Sequence, residues 1–331
     1  IIDCAGSCGG AGQVLASNGS NAVCWMTPAA PPAATPILEG LLKGCTDNLL
    51  FNTYLGCNAG VAETTGTYNT LVGYGAGCSL SGTQYNTVVG HWALANNTSI
   101  TGATVVGTCA GCNFTGTNLI AIGCFAAYGG AGNGIIAIGR DTAPNTTTAE
   151  CVIAIGGNSL YNLTSGCCNV AVGDNAGNGI CAGSYNTAIG MQSLQSCGDT
   201  GSYNTSVGYQ SGNIGGNGSY NITVGHCALN GGPYVGSNSV AIGSCALQLL
   251  ATGDFNVALG PQAGCTQTAG CRNVLIGPEV SAASSTGDCQ LAIGFSATAN
   301  WLTGDSSQNI KPAASIVDCN NTAGYNTAVL T

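Results

Sequence analysis

Residues 185–190 read Tyr-Asn-Thr-Ala-Ile-Gly, and variants of this hexapeptide recur along the chain. Fifteen copies stand 16 to 18 residues apart, with a mean spacing of (294 − 56)/14 = 17.0 residues. Their closing glycines are Gly56, Gly73, Gly90, Gly107, Gly123, Gly139, Gly156, Gly173, Gly190, Gly208, Gly225, Gly243, Gly260, Gly277 and Gly294. A short, fixed period of this kind indicates a repeat architecture and takes precedence over any element-by-element interpretation.

The three residues before each closing glycine form a strand pattern. The last of them is Val, Ile or Leu in all fifteen copies, and the first is β-branched in fourteen and Leu291 in the other. Residues two apart share a strand face, and β-branched residues favour strands. We therefore expect the first and last positions to be buried, and the middle position, Ala in eight copies, to form a nearly flat opposite face. On this interpretation Ile189→Asp should unfold neighbouring coils.

Small and turn-forming residues complete the repeat. Asn precedes the three strand residues in nine copies, and Ala, Ser, Thr or Val stands three residues after the glycine. A strand of about five residues, a glycine turn, a second short strand and a loop would use one period. The sequence thus predicts an all-β fold, a parallel β-solenoid with about 17 residues per coil. Fourteen intervals at the strand spacing of roughly 4.8 Å give a rod of about 67 Å.

Several copies resemble a known group of fibre proteins. Residues 238–246 (Asn-Ser-Val-Ala-Ile-Gly-Ser-Cys-Ala) and 256–264 resemble the head repeats of trimeric autotransporter adhesins. Residues 203–212 are similar to repeats in phage and large-virus tail fibres, and residues 9–19 resemble a segment upstream in such fibres. The resemblance covers roughly residues 51–298 and implies a left-handed β-roll. The family coil is usually shorter and poorer in cysteine.

The composition excludes several functional classes. Only 5% of the 331 residues are charged, and the net charge is −9. The four basic residues (Lys43, Arg140, Arg272 and Lys311) are scattered, whereas a nucleic-acid binder needs them clustered. We therefore expect no nucleic-acid partner. No run approaches 18 apolar residues, so no membrane span is expected.

The repeat divides the chain into four segments. We predict a Gly/Cys-rich segment at residues 1–26, a Pro-rich linker and cap at 27–46, the solenoid at 47–298 and a C-terminal cap or assembly segment at 299–331. Residues 325–330 (Tyr-Asn-Thr-Ala-Val-Leu) resemble one more copy without its glycine. Such a strand leaves an edge that could pair with another chain. We expect residues 1–46 or 325–331 to contact a second copy.

Twenty cysteines favour an oxidising location. In a stacked solenoid, equal offsets in adjacent coils lie about 4.8 Å apart, within the Cα range of a disulfide. The candidate pairs are Cys151–Cys168, Cys227–Cys245, Cys181–Cys197, Cys109–Cys124 and Cys271–Cys289. We expect at least three to be bonded, although Cys265 competes for Cys271. The alternatives are reduced, buried thiols or metal ligands, but the CxxC at Cys109 and Cys112 lacks a second pair, so no metal site is predicted.

Ten Asn-x-Ser/Thr sequons occur. Asn204 and Asn221 lie at the position before the strand, so we expect them to be structural. Asn97, Asn113 and Asn145 fall in loops and are the candidate glycosylation sites.

A catalytic site needs a base beside its nucleophile. The only histidines, His91 and His226, are eight coils apart. No paired carboxylates and no phosphate-binding loop are present, so we expect no enzyme activity and no cofactor. An ice-binding face would need a regular, exposed Thr array, but the Thr column gives way to Ile at Ile120 and is interpreted as core.

The pattern indicates a structural role. The predicted function is that of a self-assembling, disulfide-stabilised shaft in an extracellular, cell-surface or virion-surface fibre. Its copies would associate through the flat Ala/Gly faces or the ends, as a homo-oligomer or a head-to-tail filament. The alternative is an adhesin or tail-fibre protein that binds a receptor or glycan through its coil loops, for example those with Trp92 and Trp301.

Overall fold

The computed structural model describes residues 14–17, 23–26, 43–44, 51–195, 198, 200–214, 217–232, 234–307 and 309–312. The proline-rich residues 27–36, the terminal copy at 325–330 and Cys197 lie outside these ranges. The predictions made for them stay predictions.

Twenty strands are assigned within these ranges, and no helix. They are β1 (Val14–Ser17), β2 (Val23–Met26), β3 (Lys43–Gly44), β4 (Thr53–Leu55), β5 (Thr70–Val72), β6 (Thr87–Val89), β7 (Thr104–Val106), β8 (Leu119–Ile122), β9 (Asn133–Ile138), β10 (Glu150–Ile155), β11 (Val170–Val172), β12 (Thr187–Ile189), β13 (Thr205–Val207), β14 (Ile222–Val224), β15 (Val240–Ile242), β16 (Val257–Leu259), β17 (Val274–Ile276), β18 (Leu291–Gly294), β19 (Asn300–Gly304) and β20 (Ile310–Pro312).

Strands β4 to β18 stack in sequence order as one parallel ladder. Each residue of the repeat pairs with the same repeat position in the next coil, as Thr187 does with Val170 and Thr205. This confirms the predicted β-solenoid with one coil per 16–18 residues. Antiparallel strands flank the ladder: β3 pairs with β4 at one end, and β18, β19 and β20 pair in order at the other. Strands β1 and β2 form a separate antiparallel pair.

Most coils contain a single three-residue strand followed by turns. The second short strand expected in each coil is not found in the described residues. Three isolated bridges take its place, at Thr67–Gln84, Glu150–Cys167 and Ile214–Tyr234. The turns place each closing glycine close to the next coil. A Cβ on Gly208, where φ is 131°, would lie 2.5 Å from the Gly225 carbonyl oxygen. Only glycine fits that contact and that backbone conformation.

The strand faces are the reverse of the prediction. The middle strand residue is buried in all fifteen coils, whereas the first and last residues are exposed or half-buried. Ala188, for example, has no exposed surface, whereas Ile189 is 41% exposed. The interpretation of the Val and Ile columns as core, and of Ile189 as a buried residue, was therefore wrong.

Small residues fill the interior because each coil encloses little space. The middle strand column (for example Ala171 and Ala188) and the small residue three positions after the glycine (for example Ala176) are buried together. Larger side chains from the turns, such as Leu160 and Leu194, fill the remaining volume. Such an interior has no room for two aliphatic columns from the strand as well.

A ladder of buried Asn residues runs along the edge of this core. Each Asn accepts, through its side-chain oxygen, a hydrogen bond from the backbone N–H of the equivalent residue in the next coil, as Asn204 does from Asn221 at 3.0 Å. Its amide nitrogen donates to a carbonyl of its own coil's return turn, Gly218 in this case, at 2.8 Å. The structural role predicted for Asn204 and Asn221 is confirmed. Both groups are buried and paired, so the ladder fixes the stacking register.

One carboxylate is buried near the first coils. Glu63 accepts hydrogen bonds from the backbone N–H groups of Gly66 and Gly82, both at 2.7 Å, and from the Thr83 hydroxyl at 3.0 Å. Burial acts to raise the pKa of Glu63, but these hydrogen bonds outweigh it and hold the pKa below its ordinary value. Glu63 is therefore a charged clamp that joins two coils.

Candidate functional site

The outward face of the parallel ladder is the most extensive regular surface of the described residues. Its first column carries the first strand residue of each coil: Thr53, Thr70, Thr87, Thr104, Ile120, Ile136, Ile153, Val170, Thr187, Thr205, Ile222, Val240, Val257, Val274 and Leu291. Its last column carries Leu55, Val72, Val89, Val106, Ile122, Ile138, Ile155, Val172, Ile189, Val207, Val224, Ile242, Leu259, Ile276 and Ile293. We call these thirty residues the outer face.

The outer face contains no charged residue. Its columns lie two residues apart along each strand, roughly 7 Å, and adjacent coils are about 4.8 Å apart. With side-chain width included, the face measures roughly 67 Å by 10 Å, or about 700 Å². Monomeric soluble proteins seldom expose apolar patches beyond a few hundred Å², so a face of this size indicates an interaction surface.

Aromatic ladders stand beside this face, immediately before the Asn ladder in sequence. Phe51, Tyr68 and Tyr85 stack with ring centroids 5.2 Å apart and rings within 6° of parallel. A second ladder of three rings, Tyr185 to Tyr220, has centroid spacings of 4.9 and 4.8 Å. All these rings are exposed at their edges, but those inside a ladder have both faces covered by neighbouring rings. Stacking of sugars or other flat ligands needs a free ring face, which only the ladder ends offer.

The two histidines lie on a column directly after the closing glycines. His91 stacks on Tyr74 and His226 on Tyr209, each pair with centroids 5.5 Å apart. The Cys227 sulfur lies 3.5 Å from His226 Nε2, but the Cys227 side chain also contacts Gln210 Oε1 at 3.7 Å. No pocket accompanies this pair among the described residues. The contacts are those of a stacked surface column.

The structure leaves every described cysteine free. Four of the five predicted pairs are therefore unbonded, and the fifth, Cys181–Cys197, includes a residue outside the described ranges. The columns were correctly assigned, because Cys168 lies near both Cys167 and Cys151, and Cys109 lies near Cys124. Partial burial, together with these neighbouring thiols, raises the pKa of Cys168 and of Cys109, which disfavours the reactive thiolate. Equal offsets bring the backbones together but do not aim the two sulfurs at each other.

No cluster of three or more metal-binding side chains occurs in the part of the chain that the structure describes. Cys112 of the CxxC is buried and Cys109 half-buried. No helix suited to crossing a membrane is present among the described residues.

The three candidate glycosylation sites differ in access. Asn97 is 1% exposed, and its amide donates to the Phe114 carbonyl, so this side chain is not available to a glycan in the folded coil. Asn113 is half-buried, and its Oδ1 accepts a hydrogen bond from Asn96 at 2.9 Å. Asn145 is exposed and has one weak bond, to the Tyr161 carbonyl at 3.3 Å. Asn145 is thus the most accessible of the three.

Comparison of the chain with protein-family models, with curated proteins and with solved structures gave no match in any of the three.

The sequence interpretation missed the outer face and the aromatic ladders. A signal for the face was present: Asn at fixed 17-residue spacing needs buried hydrogen-bond partners, and it shares strand parity with the middle strand residue. That parity places the Ala column inside and the Val and Ile columns outside.

Proposed function

We propose that the chain is a structural shaft subunit that self-associates through its outer face. The observation that carries this proposal is the outer face itself, an uncharged and largely aliphatic surface repeated over fifteen coils. The Ala column, first expected to mediate association, lies inside the solenoid.

A second copy of the chain fits this face. Burial of charge opposes most apolar interfaces, but neither partner would bring a charge to this contact. The area of about 700 Å² per copy is close to the roughly 800 Å² per partner of a standard stable interface. In-register strands also make the face flat and regular, so the same surface can meet itself or a symmetric set of copies.

We place such an assembly in an extracellular, cell-surface or virion-surface fibre. This placement is supported by the resemblance of the repeats to autotransporter and tail-fibre repeats and by the low charged content of 5%. The alternative of a receptor- or glycan-binding adhesin receives less support, because most aromatic ring faces are covered by other rings.

The mass of the full-length chain in solution tests the proposal. Sedimentation or light scattering at micromolar concentration should show an oligomer. The double variant Ile122→Lys/Ile189→Lys places charges on two exposed face residues and should be monomeric, with the circular dichroism of the wild type.

The matched control is Thr98→Lys/Thr115→Lys, which adds the same charge at exposed turn positions and should remain oligomeric. A wild-type chain that stays monomeric at all concentrations would refute the proposal. So would lysine face variants that associate as the wild type does.

A further inference from the structure

The first column of the outer face is banded. Number the coils 1 to 15 by their strands β4 to β18. Coils 1 to 4 carry Thr53, Thr70, Thr87 and Thr104, and coils 9 and 10 carry Thr187 and Thr205. The other nine coils carry Ile, Val or Leu at this position. Because the last column is aliphatic in every coil, the hydroxyl bands are the feature that varies along the face.

We infer that these bands orient the copies parallel and in register, so that coil n of one chain lies level with coil n of the next. This inference rests on the proposed self-association. In the parallel arrangement all six Thr levels meet Thr levels, where hydroxyls can bond to one another across the contact, and all nine aliphatic levels meet aliphatic levels.

An antiparallel pair with full overlap gives the opposite result. Coil n then faces coil 16 − n, so Thr53 faces Leu291 and Thr205 faces Ile136. All six Thr residues of each copy meet an aliphatic residue, and twelve of the fifteen levels are mismatched. A hydroxyl buried against an aliphatic side chain without a partner loses its bond to water and destabilises the contact.

Sliding the antiparallel copies does not remove this cost. A shift by three coils pairs coil 3 with coil 10 and coil 4 with coil 9, which restores Thr–Thr levels. It also leaves four of the twelve overlapping levels mismatched and removes three coils of each copy from the contact. The parallel, in-register arrangement is the one that buries the whole face and matches every level.

The orientation has a consequence for the assembly. Parallel copies place all amino-terminal ends at one end of the shaft, so its two ends differ chemically. An antiparallel pair would have two equivalent ends.

Electron microscopy of the full-length oligomer, labelled with one gold particle on an amino-terminal tag of each chain, tests the inference. We expect the gold particles to lie together at one end of each shaft. Labels at opposite ends of intact oligomers would overturn the inference and leave self-association standing. A monomeric chain would instead refute the proposed function on which the inference rests.

A band variant separates the Thr effect from other causes of orientation. Changing Thr53, Thr70, Thr87 and Thr104 to Val reduces the mismatched levels of the antiparallel pair from twelve to four. The fraction of shafts with labels at both ends should then rise several-fold. The control changes exposed turn residues Thr64, Thr65, Thr98 and Thr115 to Val and should leave the fraction unchanged. If the band variant behaves as this control does, the bands do not set the orientation.

Discussion

Ala188 and Ile189 are adjacent in sequence but lie on opposite faces of strand β12. Ala188 has no exposed surface and pairs in register with Ala171 and Ser206. Ile189 is 41% exposed. The same substitution at both positions, Ala188→Asp and Ile189→Asp, therefore tests the assigned faces with side-chain size and charge held constant.

The expected effects differ in size. An aspartate at position 188 would have no partner in a closed interior, and an unpaired buried polar group costs about 2–7 kcal/mol, or more when charged. Full burial of an Ile is worth about 1.5–3 kcal/mol, and Ile189 has lost only part of its exposure, so its replacement should cost about 1–2 kcal/mol. A 17-residue coil contributes roughly 1–2.5 kcal/mol of net stability. Ala188→Asp should thus open its own coil and its neighbours, whereas Ile189→Asp should leave them folded.

Hydrogen exchange followed by mass spectrometry resolves this local effect, because a solenoid can unfold coil by coil rather than as one unit. Exchange should accelerate in the peptides that contain β11, β12 and β13 for Ala188→Asp and change little for Ile189→Asp. Ala188→Ser is the control for a small polar side chain, since Ser206 occupies the same column in the next coil. Samples are kept dilute so that association does not contribute. Faster exchange in Ile189→Asp than in Ala188→Asp would refute the assigned faces.

Two further predictions concern buried polar groups. Asn204→Ala leaves the Asn221 N–H and the Gly218 carbonyl without partners and should cost about 2–5 kcal/mol by chemical denaturation, whereas Asn204→Ser should cost less because Ser239 already accepts this bond from Asn256; equal losses in the two variants would contradict the ladder. For Glu63, a pKa held below its ordinary value means that its stabilisation is complete above the unfolded pKa of about 4.3 and is lost as the pH falls through the folded pKa. The first coils of Glu63→Gln should therefore exchange faster than the wild type at pH 7 and equally fast at pH 2; a difference that persists at pH 2 would argue against the charged clamp.

Much of the fold could be predicted from the 17-residue period. Closing glycines at constant spacing predict coils of equal length, and equal coils stack equivalent positions, as the pairing of Thr187 with Val170 and Thr205 shows. The Asn column predicted a buried ladder for the same reason. The disulfide prediction used equally good spacing and was wrong for the four described pairs, because a bond depends on the direction of each sulfur as well as on the position of its backbone.

The sequence by itself determined the all-β class, the coil length, the parallel register and the columns on which Asn, Gly and Cys lie. Only the tertiary structure decided which strand face is inside. Alternation with a period of two separates the faces but does not orient them, and the larger aliphatic residues pointed to the wrong one. The narrow coil decided between them: its interior accepts Ala188 and the Asn ladder, so the bulkier column of Ile189 lies on the surface, where it becomes the outer face.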